Sequence, residues 1–142
     1  MLQNELDMTF NYKPIPYSVI ECGTHVVREG KTAEIAKKAK QGDINLLRAT
    51  KENHNKESNF SERVQWKKDV LWTIAAGGSD IWIENFGYCV NDDEMISAST
   101  FPQDYNFANQ KIKYICGMSV PPIMIKRIVT KLVEGGVFNV AK

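Results

Sequence analysis

Asp92, Asp93 and Glu94 are three consecutive carboxylates, the residue type that binds cations and exchanges protons in active sites. They follow Asn91, and Glu94 stands three residues after it, which is the spacing of a capping box at a helix N-terminus. Negative charge also stabilises that end of a helix. We therefore predict a solvated, capped helix start here rather than a metal site or an acid/base pair.

The cysteines and histidines are scattered along the sequence. Cys22, Cys89 and Cys116 are odd in number and lack the paired spacing of a zinc site, so we predict small, reduced, buried apolar side chains. His25 and His54 are isolated, which predicts structural or solvated imidazoles. The sequence also lacks G-x-G-x-x-G, P-loop, G-x-S-x-G and H-E-x-x-H motifs. We assign no catalytic residue and no metal ligand to this chain.

Basic residues are concentrated in the middle of a nearly neutral chain. The 142 residues carry a formal net charge of +1, with 18 Lys and Arg against 17 Asp and Glu. Residues 28–69 hold 11 of these basic residues and 7 of the acidic ones, and 11 − 7 gives +4. Such a stretch can lie along a phosphate backbone or form a solvated helical face, and charge alone leaves both open.

The overall composition predicts a soluble globular protein. The hydrophobic share is 43% and the charged share is 25%, values that are ordinary for a folded domain. The first ten residues have neither a basic flank nor an apolar stretch, and no run is apolar enough to suggest a membrane span. We therefore expect a cytoplasmic location.

Two regions have strand character. Residues 17–27 are rich in β-branched side chains and predict one or two strands broken by Gly23. Three further strand-like runs follow later in the chain, VLWTI, IWIENF and GYCV. Gly77 and Gly78 separate the first two of these runs, and they favour either a tight turn or a close approach of another backbone.

Helix signals surround the basic stretch. Thr32 is a candidate N-cap for a helix that Gly42 would end, and Asp43 is a candidate N-cap for a second, shorter helix. Residues 50–60 are polar and predict a surface loop. Ser61 then predicts a cap for one more helical turn.

Prolines define the helices near the C-terminus. Pro102 keeps the helix that begins at Asn91 short, because the residue before a proline avoids helical conformation. Pro121 and Pro122 predict the start of a last helix, which Gly135 would end. Its apolar residues form one stripe that must pack against something: Ile125, Ile128, Val129, Leu132 and Val133.

Two segments carry a more specific pattern. In DEMISASTFPQDYNF the notable positions are Glu94, Phe101, Pro102, Asp104, Tyr105 and Phe107. About ten residues later comes the run Gly117, Met118, Ser119, Val120, Pro121 and Pro122. The order and spacing resemble the last two motifs of DNA cytosine-5 methyltransferases. In that family a Glu is followed seven residues on by Phe-Pro, and a Gly-Asn-Ser/Ala-Val-Pro-Pro run opens the final helix.

An upstream segment is similar to the target-recognition region of that family, where a Thr and an aliphatic residue precede a glycine-containing turn. Here WTIAAGG supplies Thr73, Ile74, Gly77 and Gly78. The strong match covers residues 91–133, and residues 15–90 would correspond to the variable target-recognition region. Absent from the sequence are the family's Phe-x-Gly-x-Gly cofactor loop and its Pro-Cys, Glu-Asn-Val and Gln-x-Arg-x-Arg motifs.

The resemblance implies a methyltransferase in which a cytosine is flipped out of duplex DNA. A cysteine thiolate adds to carbon 6 of the ring, and S-adenosylmethionine donates a methyl group to carbon 5. The thiolate would belong to the missing N-terminal portion, so we do not expect this chain to be active alone. It could be a natural subunit, a phage remnant or a piece of a longer gene product from a bacterial or phage restriction-modification system.

The resemblance also implies site residues. Thr73 and Ile74 would lie near the flipped nucleotide, and Gly77 and Gly78 would let a recognition loop enter the groove. Candidate phosphate contacts are Lys51, Arg63, Lys67 and Lys68. The candidate S-adenosylmethionine contacts are Gly117, Met118, Ser119 and Val120. Met118 stands where the family has an Asn, which removes a side-chain amide near the cofactor ribose.

The expected fold is α+β. Residues 1–90 would form a small mixed domain of short strands and helices, similar to a target-recognition region. Residues 91–142 would carry the C-terminal helix, which would pack on a Rossmann-like catalytic domain that this chain does not contain. The expected partners are duplex DNA and that catalytic portion, not a membrane, and the uncovered apolar stripe favours self-association. The alternative is a non-catalytic DNA- or protein-binding module derived from such an enzyme.

Overall fold

The computed structural model describes residues 8–58, 61–84 and 86–137. Its elements, in chain order, are α1 (Tyr17–Ile20), α2 (Lys31–Ala36), α3 (Leu47–His54), β1 (Arg63–Gln65), β2 (Ile81–Ile83), α4 (Asp92–Ala98), α5 (Ile112–Met118) and α6 (Pro122–Glu134). β1 and β2 pair in parallel, with Val64 opposite Trp82. The chain is therefore a small mixed α+β domain, and this part of the fold prediction is confirmed.

The short sheet separates two apolar clusters, because successive side chains on a strand point to opposite faces. Val64 and Trp82 belong to the first cluster, which contains buried residues of α2 and α3. Ile81 and Ile83 belong to the second, which contains Tyr17 of α1 and buried residues of α4 and α5. The sheet thus joins the basic, helical region of the chain to the C-terminal helices.

All three tryptophans pack in or against the two apolar clusters. Trp66 and Trp82 are buried in the first cluster, and Trp72 packs against the second. Each indole N–H has an acceptor within the protein: the carbonyl of Asp43 for Trp66, the carbonyl of Val64 for Trp72, and the carboxylate of Glu62 for Trp82. A buried indole needs such a partner, and these bonds fix the three rings in place.

The predicted strands at residues 17–27 are wrong. The segment begins with the short helix α1, and the described residues from 21 to 29 contain no strand. Tyr17 is 0% exposed, and its side chain packs in the second cluster. Tertiary packing of this residue therefore outweighs the β preference of its neighbours. Similarly, residues 70–74 and 87–90 make single bridges at Val70 and Cys89 rather than strands.

The helix caps predicted in the basic region are also wrong. α2 begins at Lys31, one residue before the predicted cap Thr32, and the residue preceding the helix is Gly30. Asp43 does not cap α3, which begins only at Leu47. Its carboxylate instead accepts a hydrogen bond from the Arg48 guanidinium, Nε to Oδ1, at 2.7 Å.

The loop predicted at residues 50–60 begins later than expected. α3 continues to His54 and stops at Asn55, whose φ of 49° lies in the left-handed region. Ser61 caps no helix, because it lies in a bend that leads directly into β1. β1 itself was not predicted, since its three residues give too short a pattern to recognise.

The C-terminal half follows its local signals. α4 has both hydrogen bonds of the predicted capping box: the Glu94 amide donates to the Asn91 side chain, and the Asn91 amide donates to the Glu94 carboxylate. α4 ends at Ala98, before Pro102. α6 begins at Pro122 and is followed by Gly135, as predicted.

The apolar stripe of α6 is largely uncovered. None of the described residues of this helix is buried. Ile125 and Val129 are each 45% exposed and Val133 is 41% exposed. No helix among the described residues is long and apolar enough to cross a membrane.

Candidate functional site

A cleft of about 490 Å³ opens between the middle of the chain and the C-terminal helices. Residues 70–74 form one wall, and residues 97–100 at the end of α4 form another. Gly117 and Ser119, at the end of α5, line the same cleft. The structure therefore brings two predicted DNA contacts, Thr73 and Ile74, to the same cleft as two predicted cofactor contacts, Gly117 and Ser119.

A buried glutamine positions the 70–74 wall. Gln65 is 0% exposed, and its side-chain nitrogen donates to the Trp66 carbonyl at 2.9 Å. Its side-chain oxygen accepts a hydrogen bond from the Trp72 amide at 3.0 Å. Because β1 holds this side chain in the core, the Trp72 backbone has a fixed location, and Thr73 and Ile74 follow it into the cleft.

Gly117 lies against the turn that follows this wall. The chain reverses at Ala75–Gly78, where the Gly78 amide donates to the Ala75 carbonyl at 3.1 Å, so the predicted turn is confirmed. A Cβ atom added to Gly117 would lie 2.8 Å from both the Ala75 carbonyl carbon and the Ala76 Cα. A side chain at Gly117 would therefore displace the turn. The close approach that the glycine permits is to this backbone.

Of the other three predicted cofactor contacts, only Ser119 lines the cleft. Met118 is 65% exposed and Val120 is 53% exposed, and neither lines the cleft. The Ser119 hydroxyl donates to the Ile115 carbonyl at 2.6 Å, which leaves its oxygen able to accept a hydrogen bond. Among the four predicted cofactor contacts, Ser119 thus offers the polar side chain on the cleft.

The end of α4 is joined to the start of α6 beside the cleft. The Ile123 amide, in the first turn of α6, donates to the Thr100 hydroxyl at 3.1 Å. Thr100 has a φ of 58°, in the left-handed region, which is uncommon for a β-branched residue. This strained residue takes up one of the free amides of the helix start, so α6 leaves the cleft in a defined direction.

The predicted phosphate contacts do not share that cleft. Lys51, on α3, pairs with Glu57 at 2.9 Å. The Arg63 guanidinium lies over the Trp72 ring, 5.2 Å from its centroid. The Lys67 ammonium pairs with Glu21 at 2.8 Å, and this carboxylate raises the lysine pKa. Much of the positive charge counted in the sequence is therefore paired within the protein.

Lys67 and Lys68 border a second, open cleft of about 560 Å³. Lys40 and Trp66 also line it. Lys68 is exposed and makes no ion pair within the part of the chain that the structure describes. Glu84 lines this cleft as well, and two of its lysines are paired, Lys40 with Glu52 and Lys67 with Glu21.

A buried hydrogen-bond network around Glu94 was not predicted. Glu94 is 0% exposed, so the expectation of a solvated acidic cluster is wrong for this residue, although Asp92 and Asp93 are exposed. One carboxylate oxygen accepts hydrogen bonds from the Tyr17 hydroxyl at 2.7 Å and from His25 Nε2 at 2.8 Å.

The network holds the segment before α2 against α4. The Cys22 amide also donates to the Glu94 carboxylate, at 3.2 Å. Burial and the nearby Glu94 charge raise the pKa of the Tyr17 hydroxyl well above its usual range. Tyr17, Cys22 and His25 all donate hydrogen bonds to the Glu94 carboxylate, which is therefore a satisfied buried acceptor. His25 thus has the predicted structural role. The sequence signal was the capping box, which reports a helix start but not burial.

The cysteines fit their predicted role in part. All three are free, and Cys89 and Cys116 are buried as expected. Burial raises the pKa of the Cys89 thiol to about 12, which makes it unreactive. Cys22 is exposed, so the prediction of burial is wrong there. No group of three or more metal-binding side chains occurs within the described ranges.

Comparisons of the chain with known protein families, with curated proteins and with solved structures found no match.

Proposed function

We propose that this chain is the C-terminal DNA-recognition portion of a DNA cytosine-5 methyltransferase. In this proposal residues up to α3 and the sheet belong to a target-recognition region, and α6 packs on a Rossmann-like catalytic domain contributed by another portion of the enzyme. The chain holds the DNA and the flipped cytosine, while the catalytic portion supplies the cysteine nucleophile.

The observation that carries the proposal is the meeting of separate sequence motifs at one cleft. Thr73 and Ile74 come from the segment similar to the target-recognition region, and Gly117 and Ser119 come from the segment similar to the last motif. The segment similar to the Phe-Pro motif contributes residues 97–100, at and just after the end of α4, to the same cleft. Residues that the family brings together for one reaction are thus neighbours here, which supports a shared function.

The exposure of α6 supports a partner for this helix. Its apolar stripe would be shielded from water by packing on a second body, at a gain of about 25 cal/mol for each Å² of apolar area removed from water. The stripe includes Ile125 and Val129, each 45% exposed. A soluble domain rarely leaves such a stripe free, and the same surface would promote self-association in isolation.

S-adenosylmethionine would supply the methyl group to the complete enzyme. The fit of this chain to the cofactor is partial. The space beside Gly117 is filled by the Ala75–Ala76 backbone. Met118 and Val120 lie outside the cleft, so the Ser119 hydroxyl is the side-chain group of this run that can accept a hydrogen bond there. In the proposal this chain therefore gives at most one edge of the cofactor site, and the catalytic portion gives the rest.

Reconstitution tests the proposal. The full chain would be mixed with the N-terminal portion of a cytosine-5 methyltransferase, cut before its target-recognition region, together with duplex DNA and S-adenosylmethionine carrying a labelled methyl group. We expect label in the DNA only when both portions are present. Thr73→Val is the test variant, because it keeps the shape of the cleft wall and removes its hydroxyl, and we expect it to lower incorporation.

The alternative function, a non-catalytic binding module, has a distinct signature. Met118, in the position of the family's Asn, is the feature that favours it. If both portions fold, bind each other and bind duplex DNA but transfer no methyl group, the binding module is the better assignment. If the chain alone does not bind a short duplex in a salt-dependent way, DNA recognition is excluded for both assignments.

A further inference from the structure

Two residues on one face of α5 contact the segment Ala75–Asp80, which contains the reversal at Ala75–Gly78 and is called the Ala75–Asp80 turn below. Lys113 and Gly117 are four residues apart, so they lie on the same face of the helix. The Lys113 ammonium donates to the Gly78 carbonyl at 2.8 Å and to the Ser79 carbonyl at 2.9 Å. It also reaches the Asp80 carboxylate, at 3.3 Å. Its three hydrogen-bond donors are therefore all used within this turn.

Gly117 contacts the opposite end of the same turn. It has no side chain, and the Ala75–Ala76 backbone occupies the space that a side chain would need. α5 therefore contacts both ends of the turn. The start of the turn packs directly on Gly117, which has no side chain, and the end of the turn is bonded to the Lys113 ammonium.

Other elements hold the base of the turn but leave its tip free. The Arg28 guanidinium donates to the second oxygen of the Asp80 carboxylate at 2.8 Å. The Ser79 hydroxyl donates to the Ser61 hydroxyl at 2.7 Å. Gly77 is exposed, and no atom lies within 4 Å of the position that a Cβ would take there. This is a rigid base under an accessible tip.

We infer that Lys113 and Gly117 are positioning residues that fix the Ala75–Asp80 turn for reading base edges. This inference rests on the proposed function, because it takes the exposed tip as the part that enters a DNA groove. Lys113 does not contact phosphate itself, since its three donors already have acceptors. It acts on DNA recognition through the shape of the turn.

The distinction between positioning and phosphate contact has a measurable consequence. Loss of a phosphate contact weakens binding to all sequences and lowers the salt dependence of the affinity by about one unit of slope. Loss of a positioning contact leaves the slope unchanged and reduces the preference for one sequence over others. Measuring the salt slope and the sequence preference of a Lys113 variant therefore distinguishes a phosphate contact from a positioning contact.

The experiment compares the full wild-type chain with Lys113→Met and Gly117→Ala. The DNA probes are a duplex pool with a randomised centre, which is sequenced before and after binding, and one duplex titrated at several salt concentrations. Amide hydrogen exchange at residues 75–80 reports the turn directly. The matched controls are Lys111→Met, an exposed lysine that immediately precedes α5, and Gly135→Ala, a glycine with a φ of −75° that alanine adopts freely.

We expect Lys113→Met to reduce sequence discrimination about tenfold, within the range of a lost specific contact, with an unchanged salt slope. Exchange at residues 75–80 should rise in both test variants and in neither control. Gly117→Ala should show the larger change in exchange, because the displaced atoms are backbone. Thermal unfolding of each variant verifies that it is folded, and Lys113→Met, which creates no clash, keeps the test open if Gly117→Ala does not fold.

Either of two results with Lys113→Met would overturn the inference alone: discrimination unchanged with a salt slope lowered by about one, or exchange at residues 75–80 unaffected. A wild-type chain that binds duplex DNA with no sequence preference would also do so. A wild-type chain without salt-dependent duplex binding would overturn the proposed function first, and with it the role of the turn in reading DNA.

Discussion

The region around the sheet and the last helix differ in how they bury apolar side chains. The sheet region closes two clusters around itself, with Ile83 and Leu46 each 0% exposed. α6 has an equally regular apolar pattern, yet Ile125 is 45% exposed. An apolar stripe therefore predicts a surface that will be covered, but it does not say by which molecule. Among the described residues, the buried apolar side chains thus surround the sheet, and the stripe of α6 lies at the surface.

The largest expected effect comes from shortening matched isoleucines in the two regions. Ile83→Ala should lower the free energy of unfolding by about 4 kcal/mol, because it opens a cavity in the second cluster. Ile125→Ala should change it by less than about 0.5 kcal/mol, because the side chain is already hydrated. Urea unfolding followed by tryptophan fluorescence measures both. Equal losses would mean that α6 is covered in solution and would break the comparison.

The next effect concerns the polar centre of the sheet region. Glu94→Gln should lower the free energy of unfolding by about 3 kcal/mol, because an amide NH₂ would face groups that all donate hydrogen bonds. Asp92→Asn is the matched control on the same helix turn, where loss of an exposed charge near the helix N-terminus costs about 0.5 kcal/mol. The same urea titration applies. A small effect of Glu94→Gln would show that the network contributes little.

The third prediction examines the exposed helix directly. The isolated chain should self-associate with increasing concentration, and the pair of substitutions Ile125→Lys and Val129→Lys should reduce this by placing charges on the stripe. Val26→Lys is the control, because Val26 is 79% exposed but lies far along the chain from α6. Sedimentation velocity at several concentrations measures the effect. A reduction of equal size in the control would assign the association to another surface.

The smallest effect is a pH dependence in the helical side of the sheet region. The Arg48 guanidinium lowers the pKa of Asp43, and this ion pair stabilises the folded state when the carboxylate is charged. The contribution, about 1 kcal/mol, should be complete above the unfolded-state pKa of about 4 and should disappear as the pH falls through the lower folded-state value. The difference in unfolding free energy between the wild type and Asp43→Asn should therefore shrink between pH 6 and pH 3. A constant difference over that range would exclude the pair as its source.

Features set by neighbouring residues could be predicted from the sequence. The Asn91–Glu94 capping box and the proline start of α6 depend on contacts within a few residues, and both are confirmed. Features that depend on distant residues could not. Tyr17 and Glu94 are separated by 77 positions in sequence, so neither the helix at Tyr17 nor the burial of Glu94 left a local signal.

The candidate site shows the same division. The turn at Gly77 and Gly78 was predicted from the glycines themselves. The contact of Gly117 with that turn joins α5 to a segment about forty residues earlier, and spacing alone does not predict such a contact. The order of the motifs could be recognised in the sequence, but which of their residues line one cleft could be seen only in the structure.

The location of Trp72 gives the chain an optical marker for its own cleft. Trp72 lines the cleft, whereas Trp66 and Trp82 lie in the first cluster on the other side of the sheet. A molecule that fills the cleft will change the surroundings of one indole out of three. Trp66 lines the second cleft, so an emission shift that occurs without loss of fold and persists in Trp66→Phe will report occupancy of the cleft at Trp72.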